Sequence, residues 1–379
     1  VWGLDGWIYV ANGDSGGTIR STRSGKTLNL GGFDLRIKPD TGELEPATGI
    51  TQHGRNRDDW GNWVAGNNSF GWQIALEDHD IRRNPKVSQP SNKHNINGVI
   101  DLFPISRVLS HYSGYKAPPA GSPGKLTSGC GYTFYRDNLF DGIIEPSVYY
   151  SCPVHNCVHR EVVSWDGVLM NTERASDEAR SEFLRSSDSW FRPAAIRTGP
   201  DGAMYVADLY RLVIEHPEWI DDTLEKEMIA DGRLRAGHDK GRIYKIFPDS
   251  VKLHKPAHLA GKGPEELAKL MDSPNGWQRD TAHMMLTWLN KEEQKKAVSN
   301  LHQVLNSDFP AARAQALSAL NDLDSLWPKA MQIGLEDKHP GVRRNALRVG
   351  GDLLNQSAEL GQMVVSLLDD EDAHVKRRA

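Results

Sequence analysis

The sequence predicts a multidomain β + α protein: a β-propeller, partial and N-terminally truncated, over residues 1–250, then an α-helical solenoid over residues 251–379. Three observations predict it. First, Leu4-Asp5-Gly6-Trp7-Ile8-Tyr9-Val10-Ala11-Asn12 and Pro200-Asp201-Gly202-Ala203-Met204-Tyr205-Val206-Ala207-Asp208 share the pattern x-Asp-Gly-x-x-Tyr-Val-Ala-Asp/Asn, about 195 residues apart. Asp-Gly supplies the positive φ of a tight turn ahead of a strand, and radial repetition of such units gives a propeller. Second, short runs with period-2 alternation and turn residues at both ends recur up to about residue 250. Third, helical spacing with a period near 30–34 residues takes over after Leu253.

The strand candidates, in order, are Trp7–Val10, Phe33–Ile37, Tyr132–Tyr135, Val148–Tyr150, Val158–Val163, Ala203–Ala207 and Arg242–Ile246. They fall into groups around 1–45, 48–80, 100–165 and 190–247. A propeller of six or so blades needs more, in keeping with an expected cut at the N-terminus. Residues 84–124 hold many Pro, Ser, Asn and Gly and read as long loops. Residues 171–189 are polar and charged and read as a surface helix or excursion. Gly263-Pro264-Glu265-Glu266 then starts a helix, with Pro and acids in the first turn. Four segments align from there on, with a basic residue at Arg279, Arg313, Arg343 and Lys376. Helix pairs of this length stack because one pair cannot cover its own apolar stripe. The segment resembles HEAT-like repeats.

The net charge of −5 gives no reason to expect nucleic acid or an anionic membrane as partner. The 38% hydrophobic content and negative mean hydropathy fit a soluble protein, and no apolar run is long enough for a spanning helix. Only Cys130, Cys152 and Cys157 occur, too few for a disulfide scaffold. A Cys130–Cys152 bridge with Cys157 free is the expected arrangement; a zinc site from Cys152, His155, Cys157 and His159 is the alternative. Gly13-Asp14-Ser15-Gly16-Gly17 is not followed by a helix, which excludes dinucleotide and P-loop readings, and it lacks the context of a serine protease.

Four stretches concentrate chemistry. In the stretch from His53 to Trp63, Arg55 and Arg57 suit bidentate binding of a carboxylate or quinone oxygen, and Asp58 and Asp59, with Asn67, suit Ca²⁺. His79, among acids, is a candidate general base. His155 and Asn156 stand just before a strand, where a channel rim would lie. Arg192, Asp208 and Arg211 flank the Asp201-Gly202 hairpin and point to one opening. In each case the plain alternative is a structural ion pair or turn.

The set Gly13–Gly17, Arg57–Trp63, Arg82-Arg83-Asn84-Pro85, Cys152–Asn156, Trp190–Pro193 and Asp208–Pro217 resembles the membrane-bound dehydrogenase family of planctomycetes and verrucomicrobia, over about residues 1–375. Its members join a glucose/sorbosone-dehydrogenase-like propeller to HEAT-like repeats and often a c-type cytochrome domain. The resemblance implies a periplasmic quinoprotein-like oxidoreductase of a sugar or other alcohol, on the periplasmic side of a membrane. His53 or His155 would be the base, and Arg55 or Arg192 with Ca²⁺ would polarise pyrroloquinoline quinone. Arg57, Asn156, Asp208 and Arg211 would line the cofactor. Electrons would pass to a c-type cytochrome outside this sequence, which has no Cys-x-x-Cys-His. The family's cysteine positions match Cys130 and Cys152 and imply their bridge. The alternative function is a non-catalytic module binding a glycan or protein, with a protein partner on the HEAT-like repeats.

Overall fold

The computed structural model describes residues 1–77, 93–119 and 121–379. Among these, residues up to Ile246 form six antiparallel sheets, and helices follow. In the first sheet, β1 (Ile8–Val10) is followed by the β2–β3 hairpin (Thr18–Arg20, Thr27–Asn29), a sheet of its own. It then pairs with β4 (Asp34–Lys38), which pairs with β5 (Glu43–Ala47). The next sheet runs in chain order through β6 (Arg55–Arg57), β7 (Trp63–Gly66), β8 (Gly71–Ile74) and β9 (Lys93–Asn95). After the short β10–β11 pair (Asp101–Leu102, Gly124–Lys125) comes β12 (Cys130–Phe134), β13 (Ser147–Cys152), β14 (Cys157–Asp166) and β15 (Leu169–Arg174), again in chain order. β16 (Leu184–Arg185) pairs with β14. The last sheet is β17 (Pro193–Thr198), β18 (Met204–Asp208) and β19 (Arg242–Ile246).

Each consecutive pair of larger sheets shares its own apolar core. Trp7, Tyr9, Trp63, Ala65, Trp72 and Ile74 fill the first gap. Val64, Ile96, Leu102, Tyr132, Val148 and Tyr150 fill the second. Tyr149, Val158, Phe191, Ile196, Met204 and Val206 fill the third. Strand β12 touches both β6 and β17, so the leading strands of three sheets lie side by side.

The two Asp-Gly hairpins fold alike down to single hydrogen bonds. Gly3 N donates to Trp7 O, and Gly199 N to Ala203 O, both at 2.8 Å. Asp5 Oδ2 accepts from the Tyr9 hydroxyl (2.7 Å), and Asp201 Oδ2 from Tyr205 (2.9 Å). Gly6 and Gly202 have φ of 73° and 84°, the conformation the turn requires. Each Tyr ring lies against the leading glycine, so the working motif is Gly-x-Asp-Gly-x-x-Tyr.

Residues 171–189, expected as a surface helix or excursion, instead supply strands to the sheet. They hold most of β15, β16 and one 3₁₀ turn, Ser176–Glu178. Met170, Thr172 and Arg174 alternate inward against more exposed Leu169, Asn171 and Glu173, a period-2 pattern hidden by polar side chains.

Helix α1 (Asp222–Ala230) lies between β18 and β19. The C-terminal helices are α2 (Pro264–Leu270), α3 (Gly276–Thr287), α4 (Lys291–Val304), α5 (Pro310–Asp322), α6 (Pro328–Leu335), α7 (Pro340–Val349), α8 (Ala358–Ser366) and α9 (Ala373–Arg378). Proline opens α2, α5, α6 and α7, where the missing N–H costs nothing. One core runs from Leu259 to Leu360. The recurring arginines make recurring bonds. Arg279, Arg313 and Arg343 each donate from Nη1 to the carbonyl six residues upstream, at 2.7, 2.8 and 2.9 Å. Arg313 and Arg343 also grip Asp337 and Asp370 of the following segment with two bonds each.

A Cβ at Gly199 would strike the Tyr205 ring, whereas at Gly98 it would meet nothing within 4 Å. Gly199→Ala is therefore expected to lose about 1–3 kcal/mol of stability in chemical denaturation, and Gly98→Ala to change it little.

Candidate functional site

The charged stretch from His53 onward is divided among three places. Arg55, on β6, lies between the rings of Tyr9 (4.7 Å) and Trp63 (4.3 Å). It donates to Thr48 O (2.8 Å), pairs with Glu77 and sits 3.6 Å from Asp34. His53 is exposed, bonded to Asn68 Oδ1 (3.0 Å), and the Asn67 side chain accepts from Ser69 N and Phe70 N of its own turn. Arg57, Asp58 and Asp59 face the helices. Arg57 donates to Trp2 O, Asp58 O and Asp280 Oδ1 of α3. Arg136 donates to Asp59 (2.7 Å) and Asp280 (2.6 Å), and Arg279 to Asp59 (2.5 Å). Asp58 accepts from Trp60 N, Asn62 N and Asn62 Nδ2. His79 and Arg82–Pro85 lie outside the described residues.

Five nominated residues do converge. The turn from β13 to β14 carries His155 and Asn156, the latter at φ 55°, a conformation Asn tolerates well. Asn156 Nδ2 donates to Pro153, Ser189 and Phe191 carbonyls, and its Oδ1 accepts from Ser106 Oγ (2.6 Å). Arg192, fully buried, spends its guanidinium on the carbonyls of Leu109, Pro153, Arg211 and Leu212. Asp208 Oδ1 accepts from Arg192 N (2.7 Å) and Tyr210 N (2.8 Å). Asp208 Oδ2 and Arg211 Nε are buried without a hydrogen-bond partner among the described residues. Segment 103–119 covers this hub through Ser106, Leu109, the Ser110 and His111 bonds to Glu215, and Tyr115.

At the centre, His155 Nδ1 is 3.1 Å from Cys152 Sγ and Nε2 is 3.1 Å from the Tyr115 hydroxyl. Burial opposes a charged imidazole, but Cys152 beside it raises His155 above its ordinary 6.5. Burial likewise opposes a Cys152 thiolate; the Cys157 hydrogen bond and His155 overcome this and hold Cys152 well below the usual thiol value. As a thiol, Cys152 donates to Thr127 O at 2.9 Å.

The expected Cys130–Cys152 bridge is not formed, because all three cysteines are free. Cys130 Sγ turns to Ala194 O (3.4 Å) and Ser151 O (3.7 Å), while Cys152 turns to His155. The zinc alternative is not assembled either. His159 is taken by Glu182 at 2.5 Å, and among the described residues no group of three His, Cys, Asp or Glu is placed for a metal.

A family model described as "Domain of unknown function (DUF7133)" matches residues 1–250, about two thirds of the chain. The chain belongs to this family. No curated protein matches it. The DUF7133 region ends where the sheets end, just past β19. Among the described residues no helix is long and apolar enough to cross a membrane.

Quinone and Ca²⁺ do not fit the residues nominated for them. Arg55, Arg57, Arg192 and Asn156 direct their donors at the protein's own acceptors, and the nominated calcium oxygens serve separate turns and guanidiniums. Of the nominated residues' buried polar atoms, Arg55 Nε, enclosed between the rings of Tyr9 and Trp63, Asp208 Oδ2 and Arg211 Nε have no hydrogen-bond partner among the described residues. Sequence reasoning missed Tyr115, Ser106, Arg136 and Asp280. The first two lie in a stretch with no periodicity, and the last two gain meaning only when sheet and helix meet.

Arg136 and Arg279 outweigh burial and hold Asp59 at about 2, and Arg136 and Arg57 hold Asp280 well below its ordinary value. Carboxylates depressed in the fold stabilise it fully above their unfolded value of about 3.9. That contribution fades as pH falls through about 2. Denaturation followed against pH should therefore show stability falling steeply between about pH 4 and 2, and less steeply in Asp59→Asn.

Proposed function

We propose that residues 1–250 form part of a β-propeller and residues 251–379 HEAT-like repeats, and that the chain is an oxidoreductase of a sugar or other alcohol centred on His155. The propeller reading is supported by sheets whose strands follow chain order, by leading strands side by side, by a separate core in each gap and by the twin hairpins. The HEAT-like reading is supported by the recurring arginine bonds.

One observation carries the catalytic reading: His155 Nε2 meets a hydroxyl, that of Tyr115, at 3.1 Å within the hub where five nominated residues converge. A substrate hydroxyl that displaces Tyr115 takes the same place. His155 accepts its proton, and Asp208 Oδ2 and Arg211 Nε offer an acceptor and a donor to neighbouring hydroxyls. The hydride acceptor is not held by the nominated residues, so no step is derived through it. A c-type cytochrome in the periplasm is the electron partner that the family resemblance implies.

The test is dye-linked oxidation over a panel of sugars and alcohols, with and without pyrroloquinoline quinone and Ca²⁺. His155→Gln should lower kcat/KM by about 10²–10⁴, and Tyr115→Phe should leave it within a few-fold. His155 must be neutral to act as base, and it is raised above 6.5. The acid limb of kcat/KM should therefore lie above that value. A His155→Gln variant with full activity overturns the assignment.

A binding role is favoured by a different feature. A cleft of about 440 Å³ between sheet and helices is lined by Trp60, Trp165, His339 and His374, with Trp60 stacked on His339 at 4.2 Å. Aromatic rings beside Arg344 and Asp372 suit a glycan. Glycan binding lost in Trp165→Ala, with no turnover on any substrate, selects this reading.

A further inference from the structure

We propose that Cys152 and Cys157 are a thiol–disulfide exchange centre, in which His155 activates Cys152 and Cys157 resolves the mixed disulfide that an aliphatic disulfide leaves on it. The inference does not rest on alcohol oxidation, which has no use for either cysteine.

The geometry carries it. Cys152 and Cys157 end β13 and begin β14, and they stand directly opposite each other in the antiparallel register. Opposite residues in such a ladder have Cα atoms about 4.5–5.5 Å apart, inside the range of about 4.4–6.8 Å that disulfides span. Both side chains are buried, and each thiol lies close enough to the other to shift its acidity. His155 lies in the turn that joins them, with Nδ1 on Cys152. Cys130 is directed away, to the Ala194 and Ser151 carbonyls. Cys152 thus has an ionising partner in His155 within hydrogen-bonding distance, whereas among the described residues no charged side chain hydrogen-bonds Cys157. That asymmetry separates an attacking thiol from a resolving one.

The chemistry balances without a metal or cofactor. The Cys152 thiolate attacks one sulfur of R–S–S–R, forming a Cys152–S–R bond and expelling R–S⁻, which takes the proton held by His155. Cys157 then gives its proton to His155 and attacks Cys152 sulfur, and the second R–S⁻ leaves with that proton. Two protein thiols are oxidised by two electrons to one disulfide, and the aliphatic disulfide is reduced to two thiols. Cys152, His155 and Cys157 are fully buried, so entry requires Tyr115, whose ring is only half buried and whose hydroxyl covers His155, to move aside. Small disulfides are therefore the fitting class.

The ionisable groups that bear on Cys152 are His155, Cys157, Cys130, Tyr115, Tyr132 and Arg192, which is bonded to the Pro153 carbonyl of the same turn; Glu182 bears on His155 and Cys157, and Arg174 on Cys157. Of these, His155 is the only cation within hydrogen-bonding distance of Cys152. Its removal should shift the pH profile of Cys152 reactivity upward.

The whole chain is treated with hydroxyethyl disulfide or oxidised glutathione, quenched with an alkylating agent, and mapped by mass spectrometry. The expected result is a Cys152–Cys157 disulfide that dithiothreitol reverses, with Cys130 still alkylated. Cys157→Ser should stop at a mixed disulfide on Cys152, and Cys130→Ser should behave as the wild type. His155→Gln should slow the first step by at least about tenfold at neutral pH, with circular dichroism checking that each variant is folded. A bridge to Cys130, or no adduct on Cys152 in folded Cys157→Ser, overturns the proposal. Unchanged alcohol oxidation in Cys157→Ser would separate the two activities.

Discussion

Three guanidiniums and two carboxylates, gathered where the sheets meet the helices with Arg57 and Arg279 fully buried, are the constraint from which the rest follows. Arg57, Asp59 and Arg136 come from the sheet region, and Arg279 and Asp280 from α3. Removing any one leaves its partners charged in a poorly solvated place, which is far costlier than the pair is worth in water. Neighbouring contacts depend on the same approach. Arg344 donates to Asn62, Asn275 reaches the Gly199 carbonyl and Asp137, and Trp60 stacks on His339. The junction fixes the strand β6 and the loop after β12, and so the sheets built on them.

That constraint changes the meaning of the most charged motif in the sequence. Residues 55–59 look like a cofactor cradle because charge and aromatic rings crowd together. In the fold, the rings flank Arg55, Asp58 closes its own turn and Asp59 neutralises Arg136 and Arg279. The reactive environment lies elsewhere, at the turn between β13 and β14. There a histidine is left with one soft partner, Cys152, and one displaceable partner, Tyr115. The same turn serves both proposals, through opposite nitrogens of one imidazole.

Much of the architecture was legible. Period-2 runs located β4, β12, β13, β14, β18 and β19, and the Asp-Gly repeat anticipated the twin hairpins. The helical period picked out Arg279, Arg313 and Arg343, whose bonds are equivalent. β15 was hidden because its inward positions include Thr172 and Arg174, which satisfy themselves through Ile96 O, Glu161 and the carbonyls around them. At the site, His155 with Asn156, and Arg192 with Asp208 and Arg211, were legible as two separate groups near strand ends; that the two share one hub was not. Cysteine pairing was not, because strand register decides it. The pairing of β13 with β14 sets Cys152 opposite Cys157, whereas Cys130 faces Ser151.

The central claim, that a network of five charged side chains joins sheet to helix rather than serving a ligand, is most directly tested by a double-mutant cycle on its members Arg136 and Asp280. With Arg136→Met, Asp280→Leu and the double variant unfolded in denaturant, the account predicts that the single losses fail to add by at least about 1 kcal/mol, the double variant being the more stable than their sum. Additive losses would contradict it.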